Sequence, residues 1–224
     1  MALLETLKLV LAPPHRAGRP FIAAGVAVAV FGMFVHPALA VAGVVFVAFC
    51  GYFFRDPHRV PPPDPACIVS GADGIVVSIV EAVPPAELGL GPAPRWRVAT
   101  FLSILNVHVN RVPVSGTVTA IAYRAGKFLN ASVDKASEEN ERNAIALRLP
   151  GGGDLAVIQI AGLVARRILC DLRAGDTVAT GQRLGIIRFG SRTDVYLPLG
   201  VTPLVSVGQT MIGGETVLAR IGAP

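Results

Sequence analysis

Between residues 21 and 54 the chain carries no Asp, Glu, Lys or Arg, and from about residue 68 it changes to short Val- and Ile-rich runs set between glycines. The first pattern predicts apolar helix. His36-Pro37 divides it, because a proline removes a helix hydrogen bond and clashes with the preceding turn, so two arms are expected at 21–35 and 38–54. At 1.5 Å per residue they reach roughly 22 and 26 Å, slightly under the ~30 Å hydrocarbon core. The hairpin therefore either spans a bilayer or enters it and returns. The second pattern predicts strands near 74–80, 96–101, 116–123, 144–149, 155–160, 184–189 and 216–221. The only stretch with a helical composition beyond the hairpin is 128–142.

Charge orients this plan. Lys8, His15, Arg16 and Arg19 precede the hairpin, Arg55, His58 and Arg59 follow it, and its tip has only His36. The positive-inside rule then places both ends in the cytoplasm. The expected organisation is a basic N-terminal segment (1–20), the membrane hairpin (21–54), a Pro-rich linker (55–67, containing VPPPDPAC) and a β domain (68–224). Within the β domain GDTVATGQRLGII (175–187) repeats as GQTMIGGETVLAR (208–220), each copy a turn, a strand and a second turn. That repeat resembles the hammerhead turns of biotinyl- and lipoyl-carrier domains and implies a mainly β fold, a flattened barrel or sandwich of short strands. No carrier lysine stands at a turn tip, which disfavours a swinging-arm carrier.

Composition narrows the partners. The chain is 52% hydrophobic, with a mean hydropathy of +0.59, too apolar for an ordinary soluble domain. A cleaved signal peptide is set aside by the length of the apolar run and its second arm. A net charge of +5 without Lys/Arg clusters interleaved with aromatics points to anionic lipid rather than nucleic acid. Cys50, Cys67 and Cys170 form no CxxC or metal spacing and fit a reducing cytosol. There is no metal motif, Walker loop or dinucleotide fingerprint.

Few residues are left to carry chemistry. His108 is the sole histidine of the β domain, within Asn106-Val107-His108-Val109-Asn110-Arg111; strand alternation would put Asn106, His108 and Asn110 on one face, where solvent exposure is the plainer reading. Asp73-Gly74 reads as a turn pair, and so does Gly190-Ser191, set between an expected strand ending at Phe189 and another around Val195.

Taken in order, FFRDPHRVPPPDPACIVSGADGIV, LSILNVHVNRVPVSG, Asn140-Glu141-Arg142 and Phe189-Gly190-Ser191, behind a membrane segment, resemble the phosphatidylserine decarboxylase proenzymes of the short kind, over nearly all of the chain from residue 53. The resemblance implies self-cleavage between Gly190 and Ser191: the Ser191 hydroxyl attacks the Gly190 carbonyl, and the new N-terminus becomes a pyruvoyl group. That group, with no bound metal or pyridoxal phosphate, would decarboxylate phosphatidylserine to phosphatidylethanolamine through a Schiff base. It also implies Asp73 and His108 as the proton-handling pair, Asn140, Glu141, Arg142 and Arg192 as headgroup-binding candidates, and a cleaved chain 191–224 that stays attached. For 140–142 the competing reading is a solvated charged loop.

Longer family members carry a second histidine where this chain has Arg111, and a threonine where it has Arg192. Two assignments stay open: His108 serves both reactions, or another group starts the cleavage. The implied location is the cytoplasmic face of a bacterial inner membrane, with phosphatidylserine and anionic lipids as partners and a homo-oligomer left open. Two rivals remain, a non-enzymatic membrane adaptor with a barrel-sandwich module and a pyruvoyl decarboxylase of a soluble amino acid.

Overall fold

In a computed structural model that describes residues 12–126, 140–162, 167–188 and 191–222, His36 leaves the helical conformation (φ −161°, ψ 130°) and separates helix α1 (Arg19–Val35) from α2 (Pro37–Phe53). Pro37 opens the second helix, where its missing N–H costs nothing. The two helices run antiparallel and pack through small residues. A Cβ on Gly32 would lie 2.2 Å from the Ala40 nitrogen, and one on Gly43 would lie 2.4 Å from the Ala29 nitrogen. Large apolar side chains, among them Phe31, Met33, Phe34, Val41 and Val44, point outward and are exposed. With its leading 3-10 turn, the segment Arg16–Val35 is 20 residues long and apolar enough to cross a membrane; α2 is shorter at 17.

The chain divides into two compact units, Met1–His58 and Arg59–Pro224. The second is built of thirteen described strands: β1 (Cys67–Val69), β2 (Gly74–Ala82), β3 (Arg95–Leu102), β4 (Val109–Arg111), β5 (Gly116–Arg124), β6 (Arg142–Arg148), β7 (Asp154–Ala161), β8 (Ile168–Cys170), β9 (Thr177–Val178), β10 (Arg183–Ile187), β11 (Ser191–Tyr196), β12 (Thr210–Met211) and β13 (Val217–Arg220). Eight form one open sheet in the order β12-β2-β3-β11-β7-β6-β5-β9, three form β4-β10-β8, and β1 pairs with β13. The seven strands expected from the sequence are all present, but the large sheet has two free ends instead of closing into a flattened barrel. The expected helix at 128–142 lies mostly outside the described residues, and its last residue, Arg142, begins β6.

The sequence repeat is a structural one. Gly175 and Gly208 both have positive φ (94° and 88°), as do Gly181 and Gly214 (77° and 82°). Between them β9 pairs with β5 at Gly116, as β12 pairs with β2 at Gly74; β10 then pairs with β4, as β13 pairs with β1. Neither Gly116 nor Gly74 has room for a side chain: a Cβ would lie 2.5 Å from the Arg148 carbonyl oxygen and 2.0 Å from that of Phe101, respectively. The main core, including Ile68, Val76, Val118, Ile145, Leu147, Leu155, Val157 and Val195, lies on one face of the large sheet. A second cluster, with Leu88, Ile158, Ile160 and Tyr196, lies on the other.

Candidate active site

Ser191 is the first residue of β11, a strand flanked on both sides by the sheet. It pairs with Leu102 of β3 and Ala161 of β7. The strand begins four residues earlier than the sequence pattern suggests, because Ser191, Arg192, Thr193 and Asp194 are polar yet fully buried. Their hydrophobic signal is missing, not their pairing. The Ser191 Oγ is buried with no hydrogen-bond partner among the described residues. An unsatisfied buried hydroxyl costs about 1–3 kcal/mol, so such a site calls for a chemical reason. Gly190 lies outside the described residues.

The period of two in β11 sorts its polar residues. Ser191 and Thr193 share the face of Val195, which is the main core face. Arg192 and Asp194 share the opposite face with Tyr196. There Arg192 donates through Nε and Nη2 to the two carboxylate oxygens of Asp194, at 2.6 and 3.0 Å. Burial and then the charge of Asp194 push the Tyr196 hydroxyl above its ordinary pKa. Arg192 thus stands on the other side of the sheet from the serine and is engaged in a buried ion pair.

His108 is fully buried, which overturns its reading as a solvent-facing residue. Only Val109–Arg111 of its segment is strand; Asn106 lies in the preceding turn and accepts from the Ser103 amide and hydroxyl. The His108 Nδ1 is 3.0 Å from the Asn106 carbonyl oxygen. A carbonyl only accepts, so Nδ1 carries the proton and Nε2 keeps the basic lone pair of the neutral ring. Its own carbonyl accepts from the Ile187 amide at 3.3 Å, four residues before Ser191.

Asp73 is held by a different set of groups. Arg59 Nη2 donates to both of its oxygens, at 2.9 and 2.7 Å, and the Gly213 amide donates to Oδ1 at 2.8 Å. In the repeat Ser115 has the same task, its Oγ accepting from the Thr180 amide at 3.0 Å. Asp73 therefore caps a turn as well as carrying a charge. Arg111 lies close by: its amide donates to the Gly71 carbonyl at 2.8 Å, and its Cγ and the Arg59 Cβ would each lie 3.4 Å from a Cβ placed on Gly214. The residue that replaces the second histidine of longer relatives thus packs at the Asp73 turns.

Asn140 and Glu141 are buried, not a solvated loop. Asn140 Nδ2 donates to the Ala161 carbonyl at 2.8 Å, and Ala161 is the β7 partner of Ser191. Glu141 accepts from the Tyr123 hydroxyl at 3.0 Å and the Ile168 amide at 3.1 Å. Arg142 pairs with Glu87 at 2.5 Å. A backbone hydrogen bond and then the Arg142 guanidinium hold the Glu87 carboxyl below its ordinary pKa, against its partial burial.

Asn110, noted in the sequence only as part of a polar stripe, and three residues not singled out there complete the serine face. Asn143 donates to Gln159 at 3.0 Å, Gln159 to Asn110 at 2.8 Å, and Asn110 to the Thr193 hydroxyl at 3.3 Å, all buried. Each amide is used in one direction, which leaves the Thr193 hydroxyl its own proton to donate. Their signal was a polar residue at an inward position of an apolar strand, such as Gln159 in LAVIQIA. Two shallow depressions of about 280 and 310 Å³ lie at the other end of β6 and β7, around Leu149–Asp154, and neither is lined by Ser191, His108, Asp73, Asn140 or Glu141.

Comparison with known proteins bears on this arrangement. Residues 46–219 match the sequence family described as "Phosphatidylserine decarboxylase". The chain is 65% identical over 221 residues to the "Phosphatidylserine decarboxylase proenzyme" of Granulibacter bethesdensis, covering 99% of this chain and 91% of that one. It is 60% identical over 225 residues to the protein of the same name from Gluconobacter oxydans, covering 99% and 100%.

Proposed function

Because the chain belongs to the phosphatidylserine decarboxylase family, we propose that it cuts itself between Gly190 and Ser191 and then converts phosphatidylserine to phosphatidylethanolamine and CO₂. The observation that carries this reading is the buried Ser191 Oγ with no described partner. In cleavage the Oγ–H proton passes to a base, the oxygen bonds to the Gly190 carbonyl carbon, and the Gly190–Ser191 C–N bond breaks to leave an ester. Loss of the Ser191 α-proton then expels the Gly190 carboxylate, and water converts the remaining unsaturated residue to a ketone with release of ammonia. The resulting pyruvoyl group supplies an electron-accepting carbonyl for loss of CO₂.

The chain's own residues prepare this. His108 Nε2 is the basic nitrogen offered on the segment tied to β10, and an imidazole suits proton transfer near neutral pH. Asp73, held by Arg59, anchors the turn that carries Gly213. Asn140 and Glu141 fix the segment facing Ser191. A buried, water-poor surrounding strengthens the hydrogen bonds that hold these groups in place. The apolar hairpin would keep the enzyme at the bilayer where its substrate resides, with the β unit on the cytoplasmic face as charge distribution suggests. The relatives favour this reading over an adaptor or a decarboxylase of soluble amino acids.

Intact-mass measurement tests it. Two chains are expected, residues 1–190 and 191–224, the latter blocked to Edman degradation until reductively aminated. A single uncut chain in a preparation that releases CO₂ from phosphatidylserine would overturn the mechanism.

A further inference from the structure

The strand pair that positions Ser191 leads into a turn with unusual chemistry. Leu102, the β3 partner of Ser191, ends its strand, and the next residues, Ser103-Ile104-Leu105-Asn106, form a turn closed by the Asn106 amide on the Ser103 carbonyl at 2.9 Å. The Asn106 side chain locks it, accepting from the Ser103 amide at 2.9 Å and the Ser103 hydroxyl at 2.7 Å. This well-fastened turn presents two aliphatic side chains to solvent, Ile104 at 51% and Leu105 at 62% exposure.

The same end of the sheet carries basic residues. The row Phe101, Arg192, Ile160 and Arg142 ends four strands from β3 on exposed Arg124 of β5. Arg188 follows Ile187, whose amide bonds to His108, and its own amide donates to the carbonyl of exposed Arg167. Burial and then the nearby positive charge of Arg167 pull the Arg188 guanidinium below its ordinary pKa. Exposed leucines also occur at positions 199 and 204, but they follow the opposite end of β11.

We propose that the Ser103–Asn106 turn is a membrane-contact loop: Ile104 and Leu105 enter the boundary between headgroups and acyl chains, and Arg124, Arg167 and Arg188 meet anionic headgroups. Aliphatic tips beside cations are the chemistry of an interfacial anchor, complementary to an anionic bilayer. The inference rests on the phospholipid reading above and deepens it. It seats the end of the sheet that bears Ser191 on the lipid surface, so that a headgroup reaches the serine while its tails stay in the bilayer.

The full-length chain is reconstituted in vesicles of phosphatidylcholine with anionic phosphatidylglycerol. In Leu105→Trp, fluorescence is expected to be quenched by brominated acyl chains beyond the background of Trp96 in the parent. The double variant Ile104→Ser/Leu105→Ser is expected to cut itself at the parental rate and to keep activity on soluble short-chain phosphatidylserine. On phosphatidylserine in vesicles it should lose on the order of tenfold. Absence of quenching overturns the proposal, and so does equal activity or equal loss on the two substrate forms. A parent that released CO₂ from neither form would instead defeat the phospholipid reading, and the quenching would still decide where the turn lies.

Discussion

Ser191→Ala is expected to abolish cleavage and CO₂ release together, since no oxygen remains to attack Gly190. His108→Ala separates roles: a loss of about 10²–10⁴-fold in the rate of cleavage, of decarboxylation, or of both is the size of a general acid–base contribution. Following chain cleavage by mass and CO₂ release from the cleaved fraction distinguishes the steps, and unchanged rates for both would remove His108 from the chemistry. Gln159→Leu probes the buried amide chain. It strands the Asn110 oxygen and the Asn143 amide that Gln159 now serves, at about 1–3 kcal/mol for each buried group. The urea midpoint should fall accordingly. These residues show how far single positions could be read in advance. Ser191, His108 and Asp73 stood out by residue type and motif, but the amides of Asn110, Asn143 and Gln159 look like incidental polar residues until three separate strands bring them into register. The face on which Arg192 stands could not be read without knowing where β11 begins, because a strand reverses the facing of every successive residue.

The helical hairpin depends on the absence of side chains at its seam. Gly32→Val places a Cβ where the Ala40 backbone now sits, and overpacking of this kind costs about 1–3 kcal/mol. A lower midpoint of helix loss in detergent, measured by circular dichroism, is the expected outcome; an unchanged midpoint would mean that the two helices do not need close contact. The existence and limits of both helices were readable, since a charge-free run broken by His36-Pro37 leaves little choice. The strand pattern was also readable where apolar residues alternate or cluster. It failed at the start of β11 and in the short β4, where both faces of the chain are buried and alternation disappears.

At the scale of the molecule, the proposed cleavage before β11 would not free the C-terminal piece. β11 lies between β3 and β7, β12 pairs with β2 and β13 with β1, so every described strand after residue 190 is bonded to the remainder of the chain. The two products are expected to co-elute in native size exclusion and to separate only in denaturant; free fragment under native conditions would contradict this arrangement. The amino-acid sequence by itself determined the apolar hairpin, seven of the thirteen described strands, the repeat and the Phe189-Gly190-Ser191 motif, because these rest on local composition and on periods of two to a few residues. Only tertiary structure decided that the repeat builds two interlocked copies around the turns at Gly181 and Gly214, that Asp73 matches Ser115, and that the large sheet stays open. It alone brought the Ile104-Leu105 turn to the same end of the sheet as Ser191. Such facts depend on register between segments as distant as Leu102, Ala161 and Ser191, and no local pattern encodes which partner a strand will find.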